Sequence, residues 1–158
     1  MRLDISIAGL VAWLAACGSP AEPTPVAADY VGTFELQPGS TSVLDCQDNA
    51  LDGVSAMTGE YILEVGDTSE LVEIPQPGVP CFGLKFDVVG GVANAQPNQV
   101  CRRTTDDITF ESTFTAYKLE LDGDTLTIDG FINVDVSGAI STICTSTDHG
   151  VATRKPSP

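Results

Sequence analysis

The chain holds 158 residues, with 7 Lys and Arg against 22 Asp and Glu, a net charge of −15. That balance excludes a nucleic-acid partner, whose phosphates need clustered cations, and a basic helix lying on anionic lipid. A hydrophobic content of 42% excludes general disorder, and a single His excludes multi-histidine metal centres.

Arg2 is the one cation near the start of the chain, and an apolar run from Ile5 to Ala16 follows, broken by Ser6 and Gly9. About 12 residues are too few for a spanning helix, which needs ~20, but they fit the apolar stretch of a signal peptide. The run ends in Leu14-Ala15-Ala16-Cys17, which resembles the lipobox of bacterial lipoproteins. The resemblance implies cleavage before Cys17, a diacylglyceryl group on its sulfur and acylation of the new N-terminus. Several acyl chains hold a protein on a bilayer where one does not. Residues 1–16 are thus expected to be a lipoprotein signal peptide. The expected address is the cell envelope, with the membrane as partner through the lipid on Cys17. Gly18, where an Asp would resemble a retention signal, favours the outer membrane. The rival reading is an ordinary secretory signal with an incidental cysteine. Pro20, Pro23 and Pro25 make residues 17–28 an extended tether.

A single domain is expected over residues 29–154, followed by a frayed end over 155–158. Period-two alternation recurs along it and helical periodicity does not. Tyr30, Gly32, Phe34 and Leu36 share one strand face. Gly32-Thr33-Phe34 is similar to the Gly-x-Trp that opens lipocalins, with Phe in place of Trp. In that family a late arginine packs across the ring, a role that would fall to Arg154 as a cation–π contact. The resemblance implies a barrel whose interior binds a small apolar ligand.

Asp45, Asp48, Asp52 and Glu60 fall in or near one loop, beside the only candidate helix, a weak one over 51–58. A standard calcium loop is ruled out, because Ala50 and Gly59 stand at its third and twelfth positions, where ligands belong. A solvated acidic surface and a nonstandard calcium site remain as readings. Next, Tyr61, Leu63 and Val65 alternate with Glu60, Ile62 and Glu64, and a four-residue loop returns the chain at Glu70. This hairpin is expected to pair Tyr61 with Ile74 and Leu63 with Val72.

Gly90-Gly91 reads as a two-residue hairpin turn that brings Cys81 near Cys101. With Cys17 lipidated, Cys46, Cys81, Cys101 and Cys144 make an even set in an oxidising compartment, so two disulfides are expected. Four cysteines allow three pairings, of which Cys81–Cys101 with Cys46–Cys144 is favoured. No CxxC spacing supports zinc.

Asp122-Gly123 is a hairpin dipeptide between two long alternating runs. Leu126, Ile128, Gly130, Ile132, Val134 and Val136 keep one phase. On the partner run the phase breaks between Phe114 and Tyr117, which predicts a one-residue bulge near Ala116. Phe110, Phe114, Tyr117 and Leu119 would then line one interior, with Phe114 opposite Ile132. Ser137-Gly138 makes a further turn, placing Ile132 opposite Ile143. Eight to ten strands result, an all-β antiparallel meander closed as a small barrel or folded as a sandwich and stapled by disulfides.

Chemistry is sparse. Gly53-Val54-Ser55-Ala56-Met57 lacks the last glycine of a nucleophile elbow. His149, in Thr147-Asp148-His149-Gly150, reads as an exposed turn residue. No phosphate-loop, dinucleotide or zinc-protease motif occurs. No catalytic residue, metal ligand or cofactor is assigned. The expected role is a non-enzymatic binding or structural module of the envelope. A lipocalin-like carrier is the sharper variant, and an envelope hydrolase is the alternative.

Overall fold

The computed structural model describes residues 24–49, 51–66, 70–74 and 83–156. A 3-10 turn (Ala27–Tyr30) precedes β1 (Gly32–Leu36), β2 (Thr41–Cys46), β3 (Gly53–Ala56), β4 (Glu60–Val65) and β5 (Glu70–Ile74). Then come β6 (Lys85–Val89), β7 (Val92–Ala95), β8 (Gln99–Thr105), β9 (Ile108–Asp122), β10 (Thr125–Gly138) and β11 (Thr142–Arg154). The weak helix expected over 51–58 is instead the edge strand β3. It pairs Val54 with Val43, and its β-branched valine suits a pleated ladder.

All pairings are antiparallel. Strands β1, β4, β5, β6, β7, β9, β10 and β11 follow in chain order round a closed ring, because β11 pairs back to β1. The remaining strands branch from it: β2 and β3 continue outward from β11, and β8 lies on β9. The long strands make this dual arrangement. β9 pairs with β7 from Lys118 to Glu120 and with β8 from Ile108 to Phe114. β11 pairs with β2 from Cys144 to His149 and with β1 from Ala152 to Arg154. Two halves result: a closed barrel, and an open curved sheet in the order β3-β2-β11-β10-β9-β8.

Large side chains occupy the closed half. Tyr30, Phe34, Leu63, Leu71, Phe86, Leu119, Leu126 and Ile128 are all fully buried. The 3-10 turn covers this end, with the Tyr30 hydroxyl 2.7 Å from the Gly91 carbonyl and 3.2 Å from that of Leu119. The Arg154 guanidinium lies 4.5 Å from the Phe34 ring centroid and donates to the carbonyls of Asp29 and Val31. Glycine is required opposite it: Gly32 has φ +145°, and a Cβ there would sit 2.8 Å from Arg154 Nη1. Lys155, assigned by sequence to a frayed end, extends the ladder by donating its N–H to the Thr33 carbonyl at 2.8 Å.

The central hairpin carries its bulge where the phase break lies. Gly130 faces Tyr117 and Phe131 faces Ala116, but Ile132 faces Phe114, so Thr115 is the extra residue on β9. Val136 faces Phe110. The turn itself is Gly123-Asp124, because Asp122 pairs with Thr125. Partners near the turn shift by two residues from those expected of an Asp122-Gly123 turn, Leu126 facing Leu121 rather than Leu119 and Ile128 facing Leu119 rather than Tyr117, which keeps every face. Tyr117 and Leu119 are buried, while Phe110 and Phe114 are half-buried against the core.

Two further registers are corrected. In the β4–β5 hairpin Leu63 faces Glu73 rather than Val72, because Gly66 still pairs, donating its N–H to the Glu70 carbonyl at 2.7 Å. A one-residue slip exchanges the two faces of a strand. Leu71 thereby becomes fully buried, and Glu73 turns inward with it. After Gly138 the chain makes a longer turn, so Ile132 faces Ser146 and not Ile143. Ile143 is exposed, and Cys144 faces inward instead. Gly138 packs on the Asp107 carbonyl, to which Ala139 donates at 3.1 Å, so this turn is shaped by the β8–β9 loop across from it.

Cys46 and Cys144 face each other across β2 and β11 and form a disulfide, as expected. Cys101 is disulfide-bonded too; its expected partner, Cys81, lies outside the described residues, as does Cys17. The Gly90-Gly91 turn holds the expected register, with Val89 opposite Val92, but the ladder ends at Ala95 and β8 departs to pair with β9.

Candidate functional site

The concave face of the open half is built in cross-strand rows. The outermost row runs Arg103 (β8), Phe110 (β9), Val136 (β10) and Thr142 (β11). Next come Cys101, Ser112, Val134 and Cys144, then Phe114, Ile132, Ser146 and Leu44. The innermost row, beside the barrel, is Tyr117, Gly130, Asp148 and Ser42. Sheet curvature turns these rows into a groove of about 930 Å³. Its floor is apolar, formed by Leu44, Ile108, Phe110, Ile132 and Val134. Ser42, Ser112, Ser146 and Asp148 add polar groups, and Arg103, Thr104, Thr105 and Asp106 form one rim. Small-molecule sites span roughly 300–1,000 Å³ with mostly apolar walls and a few placed polar groups, so the size and lining fit such a site.

A polar layer separates the groove from the barrel core. Tyr61 and Tyr117 share a hydrogen bond between hydroxyls 2.8 Å apart. The ring of Tyr117 crosses over Gly130, where a Cβ would lie 2.4 Å from it, so only glycine leaves room. Asp148 Oδ1 accepts from Ser42 Oγ at 2.6 Å and Ser146 Oγ at 3.1 Å. Glu73 lies close enough to Asp148 for the two charges to interact. Burial first and the Asp148 charge second push the Glu73 carboxyl up to about 8. Burial likewise raises Tyr61 and Tyr117, with the Glu73 charge adding to both. Glu73 therefore holds its proton at neutral pH and can donate a hydrogen bond.

On the outer face at the same level, His149 Nδ1 lies 2.8 Å from Asp129 Oδ1 and Lys118 Nζ 3.6 Å from Asp129 Oδ2. The His149 hydrogen bond, helped by the Lys118 charge, holds Asp129 below the usual carboxylate range against the opposing effect of burial. His149 is not in a turn as the sequence suggested; it stands on β11 opposite Thr41, because the ladder runs unbroken through Gly150. Its side chain is exposed, and its hydrogen bonds with serine or threonine hydroxyls are none among the described residues.

The acidic loop is spent on local structure: Asp52 Oδ1 accepts the Cys46 N–H at 2.7 Å and Asp48 Oδ1 accepts from Thr142 Oγ1 at 3.0 Å. Among the described residues no three His, Cys, Asp or Glu side chains gather to hold a metal ion. Glu73 and Asp148 were not singled out from sequence. Glu73 was hidden by the register slip. Asp148 sat in a tetrapeptide that reads as a turn; its alternation with Cys144, Ser146 and Gly150 was the available signal. No family model, no curated protein and no solved structure matches the chain.

Proposed function

We propose that the chain is a lipid-anchored envelope lipoprotein, outer-membrane in address, that binds a small and mostly apolar ligand in its concave groove. The observation that carries the binding half is the apolar floor of Leu44, Phe110, Ile132 and Val134 within about 930 Å³. The anchor half rests on Leu14-Ala15-Ala16-Cys17. Chain geometry joins the two. The tether reaches the domain at the closed end, where Thr24 and Pro25 pack against Gly91, while the groove lies at the far end of β9–β11. A lipid on Cys17 would thus hold the closed end toward the bilayer and leave the groove facing away. Lipocalin-like carriage is the sharper form of this reading. The Arg154–Phe34 contact and the chain-order ring support it, although the groove lies outside that ring.

Two measurements test the halves separately. Cys17→Ser should release the protein from membranes, and intact-mass analysis finding an unmodified Cys17 would remove the anchor. A neutral fluorescent probe such as N-phenyl-1-naphthylamine should bind with about 1:1 stoichiometry, and Ser112→Trp should block it by filling the groove. Binding unchanged by that substitution would place the ligand elsewhere.

A second reading, an envelope hydrolase, draws on the charge interaction between Glu73 and Asp148, which together with burial keeps Glu73 protonated and so offers an acid and a carboxylate of the kind glycoside hydrolysis uses. Turnover of ester or glycan substrates that is lost in both Glu73→Gln and Asp148→Asn would establish it over simple binding.

A further inference from the structure

Six Lys and Arg side chains lie among the described residues. Five have a carboxylate partner: Lys85 with Glu70, Arg102 with Glu111, Lys118 with Glu120, Arg154 with Asp124 and Lys155 with Glu60. Arg103 alone has none. Its Nε donates to Thr105 Oγ1 at 3.3 Å, which leaves the two terminal nitrogens of a fork suited to carboxylate or phosphate without a protein partner among the described residues. In a chain of net charge −15, an unpaired guanidinium is conspicuous, and it stands on the rim of the apolar groove.

The groove is polarised along its length. Arg103 faces Phe110, and Phe110 faces Val136. Asp148 faces Gly130 at the other end. Six residues of β10 separate the two levels, about 20 Å at ~3.3 Å per residue. Between them lie Phe110, Val134, Ile132 and Leu44, with hydroxyls only from serines. The inner end presents a carboxylate and so repels a second anion.

We propose that the groove takes a single-headed anionic amphiphile. Its carboxylate or phosphate head sits on Arg103, and its alkyl chain runs along Phe110, Val134 and Ile132 toward Leu44. The proposal rests on the groove being the ligand site and adds the class of ligand. Head-group preference comes from Arg103, which gives a carboxylate a charge-assisted fork, gives an alcohol only a single weaker hydrogen bond, and repels an amine. Asp106, which shares the rim without pairing to Arg103, opposes the anion and limits the affinity.

The test uses the exported full chain carrying Cys17→Ser, so that no acyl group of its own competes, and isothermal titration with decanoate, decanol, decylamine and decanedioate. Decanoate should bind about tenfold or more tightly than decanol and decylamine. Decanedioate should lose that advantage through its second carboxylate. Arg103→Gln should bring decanoate down to the level of decanol and leave decanol unchanged, and Asp106→Asn should tighten decanoate alone. Arg103 is exposed, so neither substitution threatens the fold. Equal binding of decanoate and decanol, unaltered by Arg103→Gln, overturns the head-group assignment while sparing the groove. Failure of every alkyl compound to bind overturns the groove reading and this proposal with it.

Discussion

The two halves of the sheet share β9, β10 and β11 yet are held together differently. In the closed half every strand has two neighbours, and the interior is filled by side chains such as Phe34, Phe86 and Leu119 that water does not reach. The open half ends at β3 and β8, each with one neighbour among the described residues, and its aromatics Phe110 and Phe114 are only half-buried. A closed ring removes free edges and lets packing alone stabilise it. The open half has less apolar burial, and a disulfide compensates, joining β2 to β11 at its outer end. One half of the molecule is scaffold; the other keeps accessible surface for a ligand.

The largest effect should come from that disulfide. Cys46–Cys144 closes a span of 98 residues, which by the loop-entropy model is worth about 4–5 kcal/mol. The double change Cys46→Ser with Cys144→Ser should lower stability by that order. Amide exchange should speed up chiefly in β2, β3 and the first half of β11; equal acceleration in β1 and β4 would erase the distinction between the halves.

Truncating aromatics sharpens the contrast. Phe86→Ala, in the filled barrel, should cost ~3–5 kcal/mol. Phe114→Ala should cost about half as much, because its ring is half-buried and meets Tyr117 edge-on at 5.6 Å between centroids. Denaturant midpoints would read both, and equal losses would mean the open half is packed as tightly as the barrel.

The layer between the halves supplies an effect that depends on pH. Folded Glu73 keeps its proton to about pH 8, whereas in an unfolded chain a glutamate releases it near pH ~4.3. Between those values the native state binds more protons, so stability falls as pH rises through that window. The loss should be about 2–3 kcal/mol, allowing for the partial exposure of Glu73. Glu73→Gln should flatten the profile and stabilise the protein above pH 8. A wild-type profile already flat from pH 5 to 8 would show that Glu73 is not enclosed.

Much of the fold was legible in short stretches. The phase break between Phe114 and Tyr117 located the bulge at Thr115, because one unbroken face on β10 leaves the partner strand no other way to keep its aromatics inward. Gly90-Gly91 set its own register, since a two-residue turn leaves no freedom. Longer loops were not legible in this way. Gly66 could serve as loop or as ladder, and that single choice decided whether Val72 or Glu73 entered the interior. The site suffered most from this, because its two carboxylates come from β5 and β11 and meet only once the ring closes.

By itself, then, the sequence determined the all-β strand content, the faces that β9 and β10 bury and the Gly90-Gly91 turn. These are local properties: period-two alternation and turn chemistry act over a few residues. Tertiary structure alone decided that β9 and β11 each take two partners along one edge, and that Glu73, Asp148, Tyr61 and Tyr117 share one layer. The reason is that register between distant strands is set by which partner buries the most apolar surface, and the alternation of either strand read alone is equally consistent with both faces.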